Sequence, residues 1–82
     1  MTSQASNHLA TRIGRNILQA REAAGMTQRD VGVALDMSDR GVSRWEMGKH
    51  QPSPKKLAAL AGLFGQDIGW FYTNHDDDKV AA

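Results

Sequence analysis

The 82-residue chain contains no cysteine. This absence excludes disulfide bonds, thiolate metal sites and cysteine nucleophiles. The chain also lacks any apolar run near the roughly 20 residues that a membrane-spanning helix needs. Its polar N-terminal residues show neither the apolar core of a signal peptide nor the glycine at position 2 that myristoylation requires. From these absences we predict a cytoplasmic protein without a membrane partner.

The sequence also has few residues that are typical of enzyme or metal sites. Its three histidines, His8, His50 and His75, are far apart and show no metal-ligand spacing. A glycine-rich phosphate loop is absent. We therefore predict no enzymatic activity, no metal, no cofactor and no small-molecule ligand. The segment HDDD at residues 75–78 has two interpretations, a weak cation site and a solvated acidic tail. The solvated tail is favoured.

Length and composition fit one small globular domain, since 40% of the residues are hydrophobic and 23% are charged. The formal net charge of +1 is unevenly distributed. Residues 1–66 carry nine basic and five acidic side chains, net +4, whereas residues 67–82 carry one basic and four acidic side chains, net −3. A basic body suits a polyanionic partner, although many proteins without such a partner have a similar charge.

Apolar residues recur at spacings of three and four along most of the chain, which predicts an all-α fold. This pattern predicts five helices, at about residues 9–24, 28–35, 39–47, 54–64 and 67–72. The predicted N-caps of the last four are Thr27, Ser38, Ser53 and Asp67, and glycines end several of the helices. Residues 9–72 are then the domain. Residues 1–8 are predicted to be a flexible N-terminal arm, and residues 73–82 an acidic flexible tail.

The turn between the second and third predicted helices is short. Only Asp36, Met37 and Ser38 separate the two helices, with Ser38 as the expected N-cap and Asp36 in the left-handed conformation. Gly32, in the middle of the second helix, would let the third helix cross closely over it. Two short helices joined by such a turn are typical of a helix-turn-helix motif.

Residues 13–72 resemble the Cro/repressor-type helix-turn-helix family, the lambda-repressor-like DNA-binding domains. The resemblance rests on "RE..GMTQ" at residues 21–28, "S...VSRWE.GK" at residues 38–49, Pro52, and "L..LA.LFG...GW" at residues 57–70. It implies a compact five-helix bundle that binds operator DNA, usually as a two-fold dimer. Two positions depart from the family pattern: Asp36 lies where glycine is frequent, and Asp39 where a neutral base-reading residue is frequent.

The third predicted helix would turn its charged side outward. If it enters the major groove, its predicted base-reading residues are Asp39, Arg40, Ser43 and Arg44. Arg40 and Arg44 can each form a bidentate contact with guanine, and Asp39 can accept from a cytosine amine or brace an arginine. Gly41 is interpreted as allowing a close approach to DNA. The alternative for the two arginines is a solvated helix face.

The predicted phosphate contacts are Thr27, Gln28, Ser38 and Lys49, and the resemblance implies the contact of Gln28. Simpler interpretations remain open for these residues. Gln28 is an ordinary polar residue for a first helical turn, Ser38 is explained by capping alone, and Lys49 is an ordinary exposed loop lysine.

Two further sets of residues are predicted to have structural roles. By resemblance, Arg21 and Glu46 form a partly buried ion pair that orients the third helix; the alternative is two separate surface charges. Ile68, Trp70 and Phe71 are predicted dimer contacts, because a six-residue helix carries more apolar side chains than one face can bury. The alternative is that they close the core of the monomer.

The favoured function is a sequence-specific, double-stranded-DNA-binding transcriptional regulator, a phage- or plasmid-type repressor that binds a palindromic operator. The expected assembly is a weak homodimer that DNA reinforces. The chain would act by occupying DNA, or it would be the DNA-binding part of a longer repressor. Two related functions for the same fold are also possible interpretations. One is an antitoxin, and the other is a restriction–modification controller protein, which activates as well as represses. The alternative from another class is a coactivator-like protein-interaction module.

Overall fold

A computed structural model describes residues 2–75 of the chain, with side chains from residue 8 onward. Four α-helices follow one another, α1 (Thr2–Ala23), α2 (Gln28–Ala34), α3 (Asp39–Glu46) and α4 (Pro54–Phe64), and a 3₁₀ helix covers Ile68–Tyr72. Over this part of the chain there is no strand, in agreement with the all-α prediction. None of the described helices is long and apolar enough to cross a membrane.

The predicted fifth α-helix is instead the five-residue 3₁₀ helix, so the five-helix bundle is not confirmed. Asp67 precedes this segment but makes no side-chain capping bond to it. Gly69 in its middle further weakens α-helical structure, and such short pieces commonly adopt the tighter 3₁₀ form. The apolar residues of the segment still reach the core, which explains why the sequence pattern indicated a helix there.

Helix α1 begins at Thr2, seven residues before the predicted start. Residues 2–8 thus belong to the helix and do not form the separate arm that the sequence suggested. These residues have no apolar stripe, but they contain neither proline nor glycine, so nothing in them stops a helix. Helices α2, α3 and α4 begin at the predicted residues and end within one residue of the predicted ends.

Side-chain caps fix the starts of the three shorter α-helices. Thr27 and Asp30 form a capping box on α2, with Asp30 N donating to Thr27 Oγ1 at 2.9 Å and Thr27 N donating to Asp30 Oδ2 at 2.9 Å. Ser38 Oγ accepts from Gly41 N at 3.3 Å, and Ser53 Oγ accepts from Lys56 N at 3.2 Å. The caps predicted from the sequence at these three starts are confirmed.

The turn between α2 and α3 depends on close backbone contact. Asp36 has the predicted left-handed conformation, with φ of 58°. Gly32 lies so close to this turn that a Cβ there would be 2.7 Å from the carbonyl oxygen of Met37. Met37 N donates to Gly32 O at 2.8 Å, and Lys56 Nζ donates to Leu35 O at 2.8 Å. The predicted close crossing of the two helices is confirmed.

The hydrophobic core lies where α1 packs against α3 and the 3₁₀ helix, with α2 and α4 closing its sides. Its buried members are Ile13, Ile17, Val31, Leu35, Val42, Trp45, Leu57, Leu60, Ala61 and Phe71. Because both Val42 and Trp45 of α3 are in this cluster, the opposite side of α3 faces outward.

One buried polar side chain joins α1 to the C-terminal part of the domain. Asn16 is only 3% exposed, and its Nδ2 donates to Phe71 O and to Thr73 O, each at 2.8 Å. His75 Nε2 lies 2.8 Å from Trp70 O, and its ring lies 4.3 Å from the ring of Trp70. Residues 73–75, predicted as the start of a flexible tail, are therefore held against the domain. Residues 76–82 of that predicted tail lie outside the described residues.

Candidate nucleic-acid interface

The outward side of α3 forms a shallow concave surface together with residues next to it. We refer to this as the α3 surface. It is lined by Gln28, Asp39, Arg40, Ser43, Arg44, Met47 and Lys49. All four predicted base-reading residues lie on it, along with two of the four predicted phosphate contacts. Three cationic side chains and a single carboxylate give this surface a net positive charge.

The other two predicted phosphate contacts, Thr27 and Ser38, do not line the α3 surface. Both hydroxyl oxygens accept capping bonds, as described above. The capping box also places a carboxylate beside Thr27. Hydrogen bonds from the backbone and the side chain of Thr27 lower the pKa of Asp30, so this carboxylate is charged at neutral pH. A phosphate bound at Thr27 would be repelled by this negative charge. Capping alone accounts for the presence of Thr27 and of Ser38.

A hydrogen-bonded group of three side chains supports the α3 surface from behind. Arg21 Nε donates to Glu46 Oε2 at 2.6 Å, and Arg21 Nη2 donates to Glu46 Oε1 at 3.1 Å. Gln28 Nε2 also donates to Glu46 Oε1, at 2.9 Å. The predicted partner of Arg21 is thus present, and the bond from Gln28 is an addition that the sequence did not indicate. It leaves Gln28 one further N–H that can reach a phosphate.

This group is well shielded from water. The side chains of Arg21 and Glu46 are 13% and 5% exposed, and Arg21 Nη1 also donates to Met26 O at 3.0 Å. Hydrogen bonding to Glu46 raises the pKa of Arg21, although burial opposes that shift. Because the group joins α1, the start of α2 and the end of α3, it fixes how α3 is presented to a ligand.

The structure shows a packing role for Gly41 within the motif. A Cβ at this position would lie 2.5 Å from Met37 Cε and 3.8 Å from Ser38 Oγ. The space that the glycine leaves is therefore occupied by the Met37 side chain of the preceding turn. The small residue serves the packing of the motif, and the close approach to DNA stays a prediction.

The predicted dimer contact at Phe71 is wrong. Phe71 is 0% exposed and lies in the core, with its ring edge-on to Trp70 at a centroid distance of 5.2 Å. Trp70 is half-buried. The apolar side chains that this segment does expose are Ile68, at 44%, and Tyr72, at 40%. The tight 3₁₀ turn directs Phe71 inward. The apolar surface left for a partner is therefore smaller than the surface that the predicted helix would have exposed.

Sequence reasoning missed two residues of α1: Asn16, which holds the segment after the 3₁₀ helix, and Gly14, which lets α1 contact the end of α3. Asn16 has a signal, because a polar side chain on the apolar stripe of a helix predicts a buried hydrogen bond. Gly14 has a weaker sequence signal, because a glycine inside a helix and far from any turn can indicate close contact with another backbone. A Cβ at Gly14 would lie 3.0 Å from Glu46 O and closer still to Trp45 O, so α1 and the end of α3 are in backbone contact there.

Within residues 2–75, no group of three or more His, Asp or Glu side chains is arranged to hold a metal ion. The predicted alternative at residues 75–78 falls mostly outside this range, because only His75 is described.

Comparison with known proteins assigns the family. A helix-turn-helix family model matches residues 17–71. The chain belongs to the Cro/C1-type helix-turn-helix family. The HTH-type transcriptional regulator DicA of Escherichia coli (strain K12) is 36% identical over 67 residues, which are 82% of this chain and 49% of DicA. The chain therefore spans about half the length of this curated relative.

Two solved structures have a similar fold. The clp gene regulator ClgR from Corynebacterium glutamicum superposes with a TM-score of 0.77 at 20% identity, over 89% of this chain and 78% of ClgR. FeII HppE, solved in complex with substrate, superposes with a TM-score of 0.73 at 22% identity, over 78% of this chain and 37% of HppE. At these identities the similarity concerns the fold alone, and the iron and substrate are those of HppE.

Proposed function

We propose that the chain binds a specific double-stranded DNA operator and represses transcription by occupying it, with α3 in the major groove. The observation that carries this proposal is the gathering of Asp39, Arg40, Ser43 and Arg44 on one positively charged surface, behind which Val42 and Trp45 are buried. Helices of this kind dock with their exposed N-terminal residues against base edges. Membership of a DNA-binding regulator family supports the same function.

Arg40 and Arg44 lie one helical turn apart and are both exposed. Each guanidinium can donate two hydrogen bonds to O6 and N7 of one guanine, which is the commonest specific contact in the major groove. Asp39, next to Arg40, can accept from a cytosine amine. Ser43 is half-buried between the arginines and can bond to several bases. We therefore expect guanine on one strand to dominate each half-site.

Gln28 and Lys49 lie on the same surface as the base-reading residues and come from elements on either side of α3. In the proposed complex they contact phosphates and set the position of α3 in the groove. Glu46 supports this arrangement because it holds the Gln28 amide at 2.9 Å while it is itself held by Arg21. Thr27 and Ser38 act chiefly as caps in this proposal.

We further propose a weak dimer on a palindromic operator. One copy of α3 reads only a few base pairs, and two copies about a two-fold axis would read half-sites about 34–36 Å apart. Ile68 and Tyr72 are the exposed apolar side chains next to the half-buried Trp70 and are the proposed contacts. This patch is small, so the dimer would be weak in solution and reinforced when both copies bind DNA.

The test is selection of bound sequences from a random duplex pool, followed by mobility-shift titration of the selected duplex at low and moderate salt. The proposal expects a palindromic consensus and an affinity that falls steeply with salt. The Arg40→Ala, Arg44→Ala double variant is the matched control and should enrich no sequence. A wild-type chain that enriches nothing and binds duplex weakly at both salt concentrations would refute the proposal and favour a protein-interaction module.

A further inference from the structure

One apolar side chain lies on the otherwise polar α3 surface. Met47 is 58% exposed, and it is the one apolar residue among the described residues that line this surface. The roles proposed above cover the other lining residues and leave Met47 without one. The core does not explain Met47 either, because Val42 and Trp45 already fill the buried side of α3. Its apolar surface is therefore available to a ligand of the α3 surface.

The backbone holds Met47 in line with the base-reading residues. Met47 is the C-terminal cap of α3 and keeps right-handed helical geometry, with φ of −85°, and its N–H donates to Ser43 O at 3.0 Å. It thus continues the helix by one residue, beside Arg44 and Ser43, which are three and four positions earlier. Arg40, seven positions earlier, lies on the same stripe. Gly48, with φ of 74°, then turns the chain away.

The short length of α3 keeps this end of the helix close to the bases in the proposed complex. The eight residues of α3 rise about 12 Å, and the major groove is about 12 Å wide. Gln28 and Lys49, the proposed phosphate contacts, line the same concave surface as Met47. A short helix held from both sides in this way keeps its last residue within the groove. The methionine side chain is long and flexible, so it can reach a base edge from there.

The chemistry of the groove offers one partner that suits an apolar side chain. Every base pair presents hydrogen-bonding groups at its major-groove edge, and only thymine adds an apolar group, the C5-methyl. We propose that Met47 packs against a thymine methyl group in each half-site of the operator and selects thymine there. This inference rests on the proposed function and deepens it, because it adds an apolar contact to the guanine contacts of the two arginines.

The spacing along α3 places this thymine relative to the two guanines. Met47 is three residues from Arg44 and seven from Arg40, which correspond to about 4.5 Å and about 10.5 Å along the helix axis. Base pairs are stacked about 3.4 Å apart. The thymine should therefore lie about one or two base pairs from the guanine that Arg44 reads, on the side away from the guanine that Arg40 reads.

The test replaces single thymines of the selected operator by deoxyuridine, which pairs in the same way and lacks only the methyl group. Affinities are measured by mobility shift for the wild type and for M47Q, whose side chain is similar in length but polar. We expect the wild-type affinity to fall about threefold to fivefold when the predicted thymine of one half-site loses its methyl group, since about one buried methyl group is lost. M47Q should bind the two duplexes equally.

M47L is the matched control, because it keeps an apolar side chain at the same exposed position. It should retain the sensitivity to the methyl group that M47Q loses. Deoxyuridine at the other thymines of the operator should change the affinity little in all three proteins. Selection from a random duplex pool with M47Q should keep the guanines of the consensus and lose the preference for thymine at this position.

Two results would overturn this inference and leave the proposed function standing. The first is a wild-type chain that binds its operator equally well with and without each thymine methyl group. The second is a methyl effect in M47Q equal to that in the wild type, which would assign the methyl contact to another residue. A wild-type chain that enriches no duplex at all would instead refute the proposed function, and this inference with it. The failures of the two proposals are therefore distinguishable.

Discussion

Glu46 is bonded to two side chains from two different helices, and the pair that it forms with Arg21 joins residues 25 positions apart in the sequence. Arg21 reaches Glu46 from the end of α1 through two of its nitrogen atoms, at 2.6 and 3.1 Å. Such two-point contacts between guanidinium and carboxylate are geometrically restrictive. The pair therefore fixes the end of α3 against α1 on the side away from the α3 surface.

We expect Glu46→Ala to destabilise the fold itself. Arg21, only 13% exposed, would lose its carboxylate partner, and breaking a buried pair in this way typically costs about 3–5 kcal/mol. Thermal unfolding measured by circular dichroism checks this. Glu22→Ala, at an exposed neighbour of Arg21, is the control and should change stability by less than about 0.5 kcal/mol. Equal melting temperatures for the two variants would contradict a structural role for the pair.

Gly14→Ala should also destabilise the fold, although alanine is the better helix former. The new Cβ would lie 3.0 Å from Glu46 O and would clash with Trp45 O, so α1 and α3 must move apart. Overpacking of this kind typically costs about 1–3 kcal/mol. The control is Gly62→Ala in α4, where a Cβ meets nothing within 4 Å. That variant should gain roughly 0.5–1 kcal/mol in chemical denaturation. The prediction fails if both alanines stabilise.

Phe71 and Ile68 are close in sequence but should respond differently to alanine. Phe71→Ala empties a fully buried core position and should cost about 3–5 kcal/mol. Ile68→Ala removes an exposed side chain, so its melting temperature should stay close to that of the wild type. If Ile68 is in the proposed dimer, sedimentation should show weaker self-association, and the cooperativity of full-operator binding should fall. Unchanged association and cooperativity would remove Ile68 from the interface.

Local sequence signals predicted the motif well because its turns and caps depend on single residues. Helix starts are fixed by hydrogen bonds from a backbone N–H to the side chain three residues earlier, at Thr27, Ser38 and Ser53. The turn is fixed by the backbone conformation of Asp36 itself. Helical periodicity predicted which side of α3 is buried, as Val42 and Trp45 show. These features need no knowledge of distant residues.

Features that depend on distant contacts were predicted less well. The bond from Gln28 to Glu46 joins α2 to α3, and the bond from Lys56 to Leu35 O joins α4 to α2. Neither has a local signature. Phe71 was assigned to a dimer because its burial depends on the 3₁₀ turn and on α1, which a count of apolar residues in one segment does not show. The packing of Gly41 against the flexible Met37 side chain likewise has no local signature.

Arg40→Ala and Arg44→Ala should each weaken binding to a selected operator by about 1–3 kcal/mol and relax base preference at one position per half-site. Both side chains are exposed on the α3 surface, so the fold should be unaffected. Affinities for the operator and for single-base variants, measured by mobility shift, check the prediction. Lys55→Ala, at an exposed position in the first turn of α4, is the control. Operator binding equal to that of the wild type in both arginine variants would place another element in the groove.

Lys49→Ala should weaken specific and random DNA binding alike. Lys49 is exposed at the edge of the α3 surface, just after the turn that ends α3, and we propose that it contacts a phosphate. Loss of one phosphate contact should lower the slope of log affinity against log salt by about one unit. The ranking of base variants should be preserved, since no base contact is lost. The measurement is a salt titration on the selected operator and on a random duplex, with Lys55→Ala again as the control. A changed consensus with an unchanged salt slope would reassign Lys49 from the phosphate backbone to the bases.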